Sequence, residues 1–139
     1  VVASVLPKYP EGKVDVIWSV AGSFSRGAYK AVVEADRNIP IVSIDVSNQD
    51  LNYMREDNGI WKACAAVHFE TVGMSGIRLL AQKLNGDETP DTYILSPSLV
   101  VRDQLTPDAT VLNLGNIVEG YGVNNDNILD WMRILRDKK

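Results

Sequence analysis

Short runs of β-branched and aliphatic residues alternate along the first hundred positions with segments of helical periodicity. The apolar runs are typical of buried strands and cover residues 14–20, 40–46 and 60–67. Small and apolar side chains recur at helical spacing between and after these runs, which predicts helices over residues 26–37, 51–55 and 70–84. Strands that alternate with helices at this spacing predict an α/β fold with a doubly wound, mostly parallel sheet and right-handed crossovers.

The three strand-like runs are apolar on both faces, as strands covered by helices on both sides must be. We therefore expect Ile17, Val42, Ile44 and Ala65 to be buried. A further extended stretch at 93–101 is interrupted by Pro97, which favours an edge position or a kink. The tail from residue 104 is less regular and is predicted to end in a helix at about 127–137.

Composition indicates an ordinary soluble globular chain of 139 residues, with 45% hydrophobic and 23% charged positions. A net charge of −4 without a basic stripe argues against nucleic acid as a partner. Cys64 and His68 are the sole residues of their types, so the sequence predicts neither an internal disulfide nor a metal site. No cofactor motif, membrane-length apolar run or export signal is present. Because the chain opens at Val1 rather than at a methionine, we expect a partial chain.

Polar residues follow the first predicted strand, at the sheet edge where open α/β sheets bind ligands. Gly22 and Gly27 have the G-x-x-x-x-G spacing of a phosphate loop, but Ala28-Tyr29 stands where that loop needs Lys-Ser/Thr. The residues therefore do not predict a nucleotide site. Backbone N–H groups of this turn are candidates for a polar ligand, and a plain helix cap is the alternative.

Two further candidates stand where the next strands end. Asp45 is either a cap at the start of the following helix or a carboxylate that accepts ligand hydroxyls. His68 is either a structural hydrogen-bonding residue or a ligand contact. The chain has no nucleophile elbow, zinc-protease motif or closely spaced carboxylate pair. The residues thus predict a binding protein and not an enzyme.

Several segments in this order resemble the carboxyl-terminal half of type I periplasmic sugar-binding proteins of the ribose-binding kind. They are 13–18, 27–32, 39–45, 63–69, Gly73, 79–84 and Asn85-Gly86-Asp87. The resemblance covers residues 14–103. It implies a small, sugar-like ligand bound between two hinged α/β lobes. It also implies delivery to the membrane permease of an ABC importer, in the periplasm or on a membrane tether.

The same resemblance assigns parts of the chain to the two lobes. Residues 1–68 and 92–103 would belong to the second lobe, 69–91 to a crossover helix of the first lobe, and 104–139 to an extension. Such a partial chain would expose sheet edges and part of a core. We therefore expect it to pair with a missing N-terminal half or to self-associate.

The resemblance also implies individual site residues. The family's ligand-binding aspartate falls on Asp45. Its polar pair after the preceding strand falls on Val20-Ala21, so Ser19, Gly22 and Ser23 are expected to supply hydroxyl or backbone groups, with Phe24 beside them. The family's glutamine at the third crossing falls on Val67, with His68 next to it.

Two other classes share this pattern of elements. The effector-binding domain of a sugar-responsive, LacI-type transcription repressor has the same fold, but usually carries an Asp-Asp pair and a Pro-Leu-Thr-Thr-like segment. Here Asp45-Val46 and Gly59-Ile60-Trp61-Lys62 stand in those places, which favours the transporter. A flavodoxin-like enzyme or receiver domain would need a phosphate loop or an acidic cluster, which the sequence lacks.

Overall fold

A four-stranded sheet forms the centre of the molecule. The computed structural model describes residues 1–123 and 127–137. The strands lie in the order β1-β2-β3-β4, with bounds Ile17–Ser19, Ile41–Ile44, Trp61–Ala66 and Ser98–Val101. β1, β2 and β3 are parallel, and β4 is antiparallel to β3 at the edge. The predicted α/β fold with a mostly parallel sheet is therefore confirmed.

Helices connect the strands and flank them. They are α1 Val2–Val5, α2 Gly22–Glu34, α3 Asn48–Arg55, α4 Phe69–Leu84 and α5 Asp130–Asp137, with 3₁₀ turns at Leu6–Lys8, Arg102–Gln104 and Leu114–Asn116. α5 begins later than the predicted residue 127. The parts of the predicted tail at 124–126 and 138–139 lie outside the described residues. Within the described ranges, no helix has the length and apolar character that a bilayer crossing needs.

Two helix starts and one strand differ from the sequence prediction. α2 begins at Gly22 instead of residue 26, and its N-cap, Ala21, has no side chain that accepts a hydrogen bond. α3 begins at Asn48 instead of residue 51, because Ser47 and Asp50 form a reciprocal capping box. Residues 93–97 are not a strand, so β4 begins only after Pro97. Proline has no N–H to donate to a ladder, which explains this boundary.

One face of the sheet forms the core together with α2 and α3. Ile41, Cys64 and Val100 point into a cluster that includes Val32 of α2 and Leu51 of α3. The β2–β3 register shifts between Ile41 and Val42, so that Ile41 pairs with Trp61 while Val42 pairs with Ala63. This bulge lets Trp61 and Cys64 both face the core, where the Trp61 Nε1 donates to Ser43 Oγ at 3.1 Å.

The opposite face of the sheet is not buried by the described residues. Ile44 is 37% exposed, and Val42 and Ala65 on the same face are half-buried. Ile17 is also half-buried, but it pairs with Ile41 and packs against the core on the covered face. The prediction that these four side chains are buried is therefore wrong for Ile44 and too strong for the others. The reason is that α2 and α3 both follow right-handed connections between parallel neighbours and so lie on one side of the sheet. Trp18 and Leu99 are exposed on the other side.

α4 and the tail form the remaining part of the structure. The apolar side chains of α4 are mostly exposed: Phe69, Val72, Met74, Ile77, Leu80 and Leu84. The tail first joins the core of the sheet, where Leu114, Val118 and Tyr121 are buried. It then reaches α4, since the Gln82 Nε2 donates to Asn127 O at 2.9 Å. The tail thus contacts both the sheet layer and α4.

Candidate functional site

The residues expected at a ligand site all lie at one edge of the sheet. Ser19 is the last residue of β1, Asp45 follows β2 directly, and His68 is the N-cap of α4 after β3. Because β1, β2 and β3 are parallel neighbours, their carboxyl ends meet at this edge. The structure therefore brings three separated sequence positions to one side of the molecule.

Asp45 has an unusual backbone conformation. Its φ is +64°, a left-handed value that few residues other than glycine adopt. Its N–H donates to Ala65 O at 2.9 Å, which ties the residue to β3. The cap of α3 is Ser47, so Asp45 does not perform the helix-capping role that the sequence left open. Among the described residues, the Asp45 carboxylate has no hydrogen-bond or ion-pair partner, and it is available to a ligand.

The residues expected to bind ligand at the turn after β1 differ in their exposure to solvent. Ser19 is buried, and its hydroxyl donates to Ala21 O at 3.3 Å. Gly22 is also buried, whereas Ser23 and Phe24 are exposed in the first turn of α2. Ser23 and Phe24 are thus accessible from solvent, and Ser19 and Gly22 mainly shape the turn.

His68 belongs to a hydrogen-bonded chain at the start of α4. Its Nδ1 lies 3.1 Å from Thr71 Oγ1, and the Thr71 hydroxyl donates to Gly122 O at 3.2 Å. Since that hydroxyl has a single proton, Nδ1 of His68 must be the donor to Thr71, which leaves Nε2 as the acceptor in the neutral ring. The ring also makes an edge contact with Tyr121, with 5.2 Å between centroids. His68 therefore has a structural role whether or not it contacts a ligand.

Two large cavities open at this edge, and a smaller one of about 190 Å³ lies beside His68 and Thr71. The first, about 560 Å³, is lined by Trp18, Ser19, Ser23 and Phe24 together with residues of α1 and α2. The second, about 620 Å³, lies between the starts of α3 and α4 and is lined by Ser47, Asn48, His68, Tyr121 and neighbouring residues. Neither of them has Asp45 or Gly22 among its lining residues. The expected site residues are therefore grouped at one edge but are not enclosed in a single cavity.

A partly buried ion pair between α2 and α3 was not predicted from the sequence. The Arg26 Nη1 donates to Asp50 Oδ1 at 2.7 Å. Ser47-x-x-Asp50 is a visible capping pattern, which is the one local signal for this carboxylate. Nothing in the local pattern connects Asp50 with Arg26, because the two residues are 24 positions apart.

Cys64 lies behind this edge as an unreactive thiol. Burial raises the pKa of the thiol from 9.0 to about 12, and the carboxylates of Asp50 and Asp45 add to the rise. Burial also raises the pKa of Tyr121, with a smaller contribution from Cys64. Thiolates are the nucleophilic form of cysteine, so the site lacks an activated nucleophile at Cys64. Within residues 1–123 and 127–137, no group of three His, Cys, Asp or Glu residues is placed to hold a metal ion.

Among known proteins, solved structures match this chain, whereas family models and curated proteins do not. No protein-family model matches the sequence, and no curated protein matches it. A solved structure of a sugar ABC transporter from Yersinia enterocolitica is 40% identical, with a TM-score of 0.87 over 99% of this chain and 42% of that chain. The fold is that of a type I periplasmic binding protein. The chain spans about 42% of the length of that structure.

Two more solved structures have a related fold. The 5-methylthioribose transporter solute-binding protein from Thermotoga lettingae, solved with 5-methylthioribose, is 21% identical, with a TM-score of 0.86 over 99% of this chain and 43% of that chain. The glucose-galactose binding protein GanP from Geobacillus stearothermophilus is 17% identical, with a TM-score of 0.67 over 75% of this chain and 36% of that chain. The family resemblance expected from the sequence is confirmed.

Proposed function

We propose that this chain is part of the solute-binding protein of an ABC importer and that it contributes one wall of a site for a small polar, sugar-like ligand. The observation that carries the proposal is the 40% identity over 99% of the chain to a sugar ABC transporter structure. The free carboxylate of Asp45 at the carboxyl edge of the sheet supports it, since a carboxylate accepts hydroxyl donors in charge-assisted hydrogen bonds.

The division into lobes is part of this proposal. Residues 1–68 and 92–103 form part of one lobe, and α4 within 69–91 packs in the other lobe. The exposed apolar side of α4, with Ile77 and Leu80, supports this division, because an amphipathic helix normally buries that side. The open face of the sheet and the apolar side of α4 would be covered by the parts of the two lobes that this chain does not contain, or by a second copy of the chain.

The cellular role follows from the same assignment. The complete protein would act in the periplasm or on a membrane tether, deliver its ligand to a membrane permease, and catalyse no reaction. The first cavity is lined mainly by apolar residues. Trp18 and Phe24 offer ring surface for the apolar face of a sugar, and Ser23 offers an exposed hydroxyl group beside them.

Calorimetric titration of the full-length protein tests the proposal. D-ribose, D-glucose, D-galactose and 5-methylthioribose form the panel, and L-leucine serves as a small non-sugar control. We expect saturable binding of at least one sugar and none of leucine. Binding of leucine without any sugar would contradict the sugar-like ligand. Sugar-dependent release from DNA by the full-length protein would establish the repressor instead of the importer.

A further inference from the structure

Asp50 is almost completely enclosed, and both of its carboxylate oxygens have partners. The residue is 2% exposed. Oδ1 accepts from the Arg26 guanidinium at 2.7 Å. Oδ2 accepts from the Ser47 N–H at 2.8 Å and from the Ser47 hydroxyl at 2.7 Å. A buried carboxylate is costly unless it is paired and hydrogen-bonded in this way, so the side chain is held in one position.

The partners of Asp50 come from the turn after β2 and from the first two turns of helix α2. Ser47 belongs to the turn that follows β2 and carries Asp45. Gly22 and Arg26 belong to the start of α2, which follows the turn after β1. A Cβ atom at Gly22 would lie 2.4 Å from Asp50 Oδ2, so the α2 backbone directly contacts the carboxylate. Asp50 therefore contacts the turn after β2 and the start of α2, the helix that directly follows the turn after β1.

These two turns carry most of the expected ligand contacts. Ser19, Gly22, Ser23 and Phe24 lie on or beside the first turn, and Asp45 lies on the second. Charge-assisted hydrogen bonds are shorter and stronger than neutral ones, and they fix geometry as well as contribute energy. Asp50 binds the turn after β2 by two hydrogen bonds and α2 by an ion pair. It therefore links the position of that turn to the position of α2 and of the turn that leads into it.

We propose that Asp50, through Arg26 and Ser47, is the positioning residue that holds these two turns at the separation needed for ligand binding. This inference rests on the proposed function, because it gives the two turns a common ligand. Asp50 itself does not contact that ligand, since its oxygens are occupied by protein donors. The competing interpretation is that Asp50 only caps α3, in which case α2 would be independent of it.

Hydrogen exchange of the unliganded full-length protein separates these two interpretations. Asp50→Asn should speed exchange at Phe24 and Ser25, whose N–H groups bond to Ala21 O, as well as at Leu51 in α3. We expect increases of about tenfold or more, as for the loss of a hydrogen bond to a charged group. A residue that only caps α3 would change exchange at Leu51 and leave Phe24 and Ser25 as they are, and that result would overturn the proposal.

Two further variants complete the test. Arg26→Gln should disturb folding less than Asp50→Asn, because the Arg26 side chain is 27% exposed. It replaces Asp50→Asn in the test if that variant does not fold. Loss of the ion pair in Arg26→Gln should speed exchange at Leu51 in α3. Asp103→Asn removes an exposed carboxylate from the Arg102–Asp103 pair and should change neither turn. Unchanged exchange at Leu51 in Arg26→Gln would contradict the coupling.

Calorimetric titration with the four named sugars provides the second arm. Asp50→Asn should weaken binding of whichever sugar the wild type binds by about tenfold. Wild-type affinity in Asp50→Asn would overturn the link between turn separation and binding. If the wild type binds none of the four sugars, the proposed function fails, while the exchange measurement still decides whether Asp50 couples the turns.

Discussion

Gly22→Ala is the substitution whose effect follows most directly from the packing of the structure. A Cβ at this position would lie 2.4 Å from Asp50 Oδ2 and 3.0 Å from its Cγ. Real Cβ atoms do not approach so closely, and the helix backbone on the other side is fixed by the Ser25 N–H bond to Ala21 O at 3.0 Å. The carboxylate must therefore move away and loses its geometry with Ser47 and Arg26.

The expected change in the free energy of unfolding is the difference between two opposing contributions. Weakening the hydrogen bonds of a buried carboxylate costs about 1.5–3 kcal/mol. Replacing glycine by alanine restricts the unfolded chain and returns about 0.4–1 kcal/mol. The free energy of unfolding should therefore fall by about 0.5–2.5 kcal/mol.

Gly27→Ala is the matched control in the same helix. Nothing lies within 4 Å of a Cβ at Gly27, which is exposed. The same chemical change should therefore stabilise α2 by about 0.5–1 kcal/mol. Urea unfolding of the two full-length variants, followed by circular dichroism, measures both values. A Gly22→Ala protein as stable as Gly27→Ala would refute the close packing of Gly22 on Asp50.

Two other predictions concern stability away from the turns. Leu114→Ala should lower the free energy of unfolding by about 2–5 kcal/mol because Leu114 is fully buried. Leu112→Ala, at a residue that is 84% exposed, should change it by less than about 0.5 kcal/mol; equal effects in urea unfolding would show that the tail is not part of the core. Burial raises the pKa of Cys64 from 9.0 to about 12, so the folded state resists ionisation of the thiol. The contribution of Cys64 to stability should be constant below pH 9 and should be lost as the pH rises from 9 towards 12. A pH series of unfolding free energies for wild type and Cys64→Ala should diverge in that interval, and parallel curves would contradict the burial.

The sheet and its connections follow from sequence pattern because the strands and long helices have strong local signals. The runs at 40–46 and 60–67 and the helical spacing at 70–84 each predict an element close to the observed one. The start of α2 was less predictable, since Ala21 has no capping side chain to mark it. The exposure of Ile44 was not predictable either, because an apolar run does not show which face is covered by the same chain.

Some features of the candidate site are also predictable from the sequence, and others are not. That Ser19, Asp45 and His68 share an edge follows from strand ends in a parallel sheet. The Arg26–Asp50 ion pair depends on how α2 packs beside α3, and no sequence spacing specifies that contact. The core position of Leu114 and Tyr121 was hidden by the Asn- and Gly-rich composition of the tail, which suggested irregular structure without a packing role.

Asp45→Asn tests the central claim that this sheet edge binds a sugar-like ligand. Calorimetric titration should use the full-length protein and whichever of the four sugars the wild type binds. Asp36→Asn is the control, because Asp36 also has a positive φ, of 51°, but is exposed at the other end of α2. Loss of hydrogen bonds to a charged group costs about 1.5–3 kcal/mol, which is about a tenfold to hundredfold loss of affinity. We predict that loss for Asp45→Asn and wild-type affinity for Asp36→Asn, whereas unchanged affinity in Asp45→Asn would contradict the account.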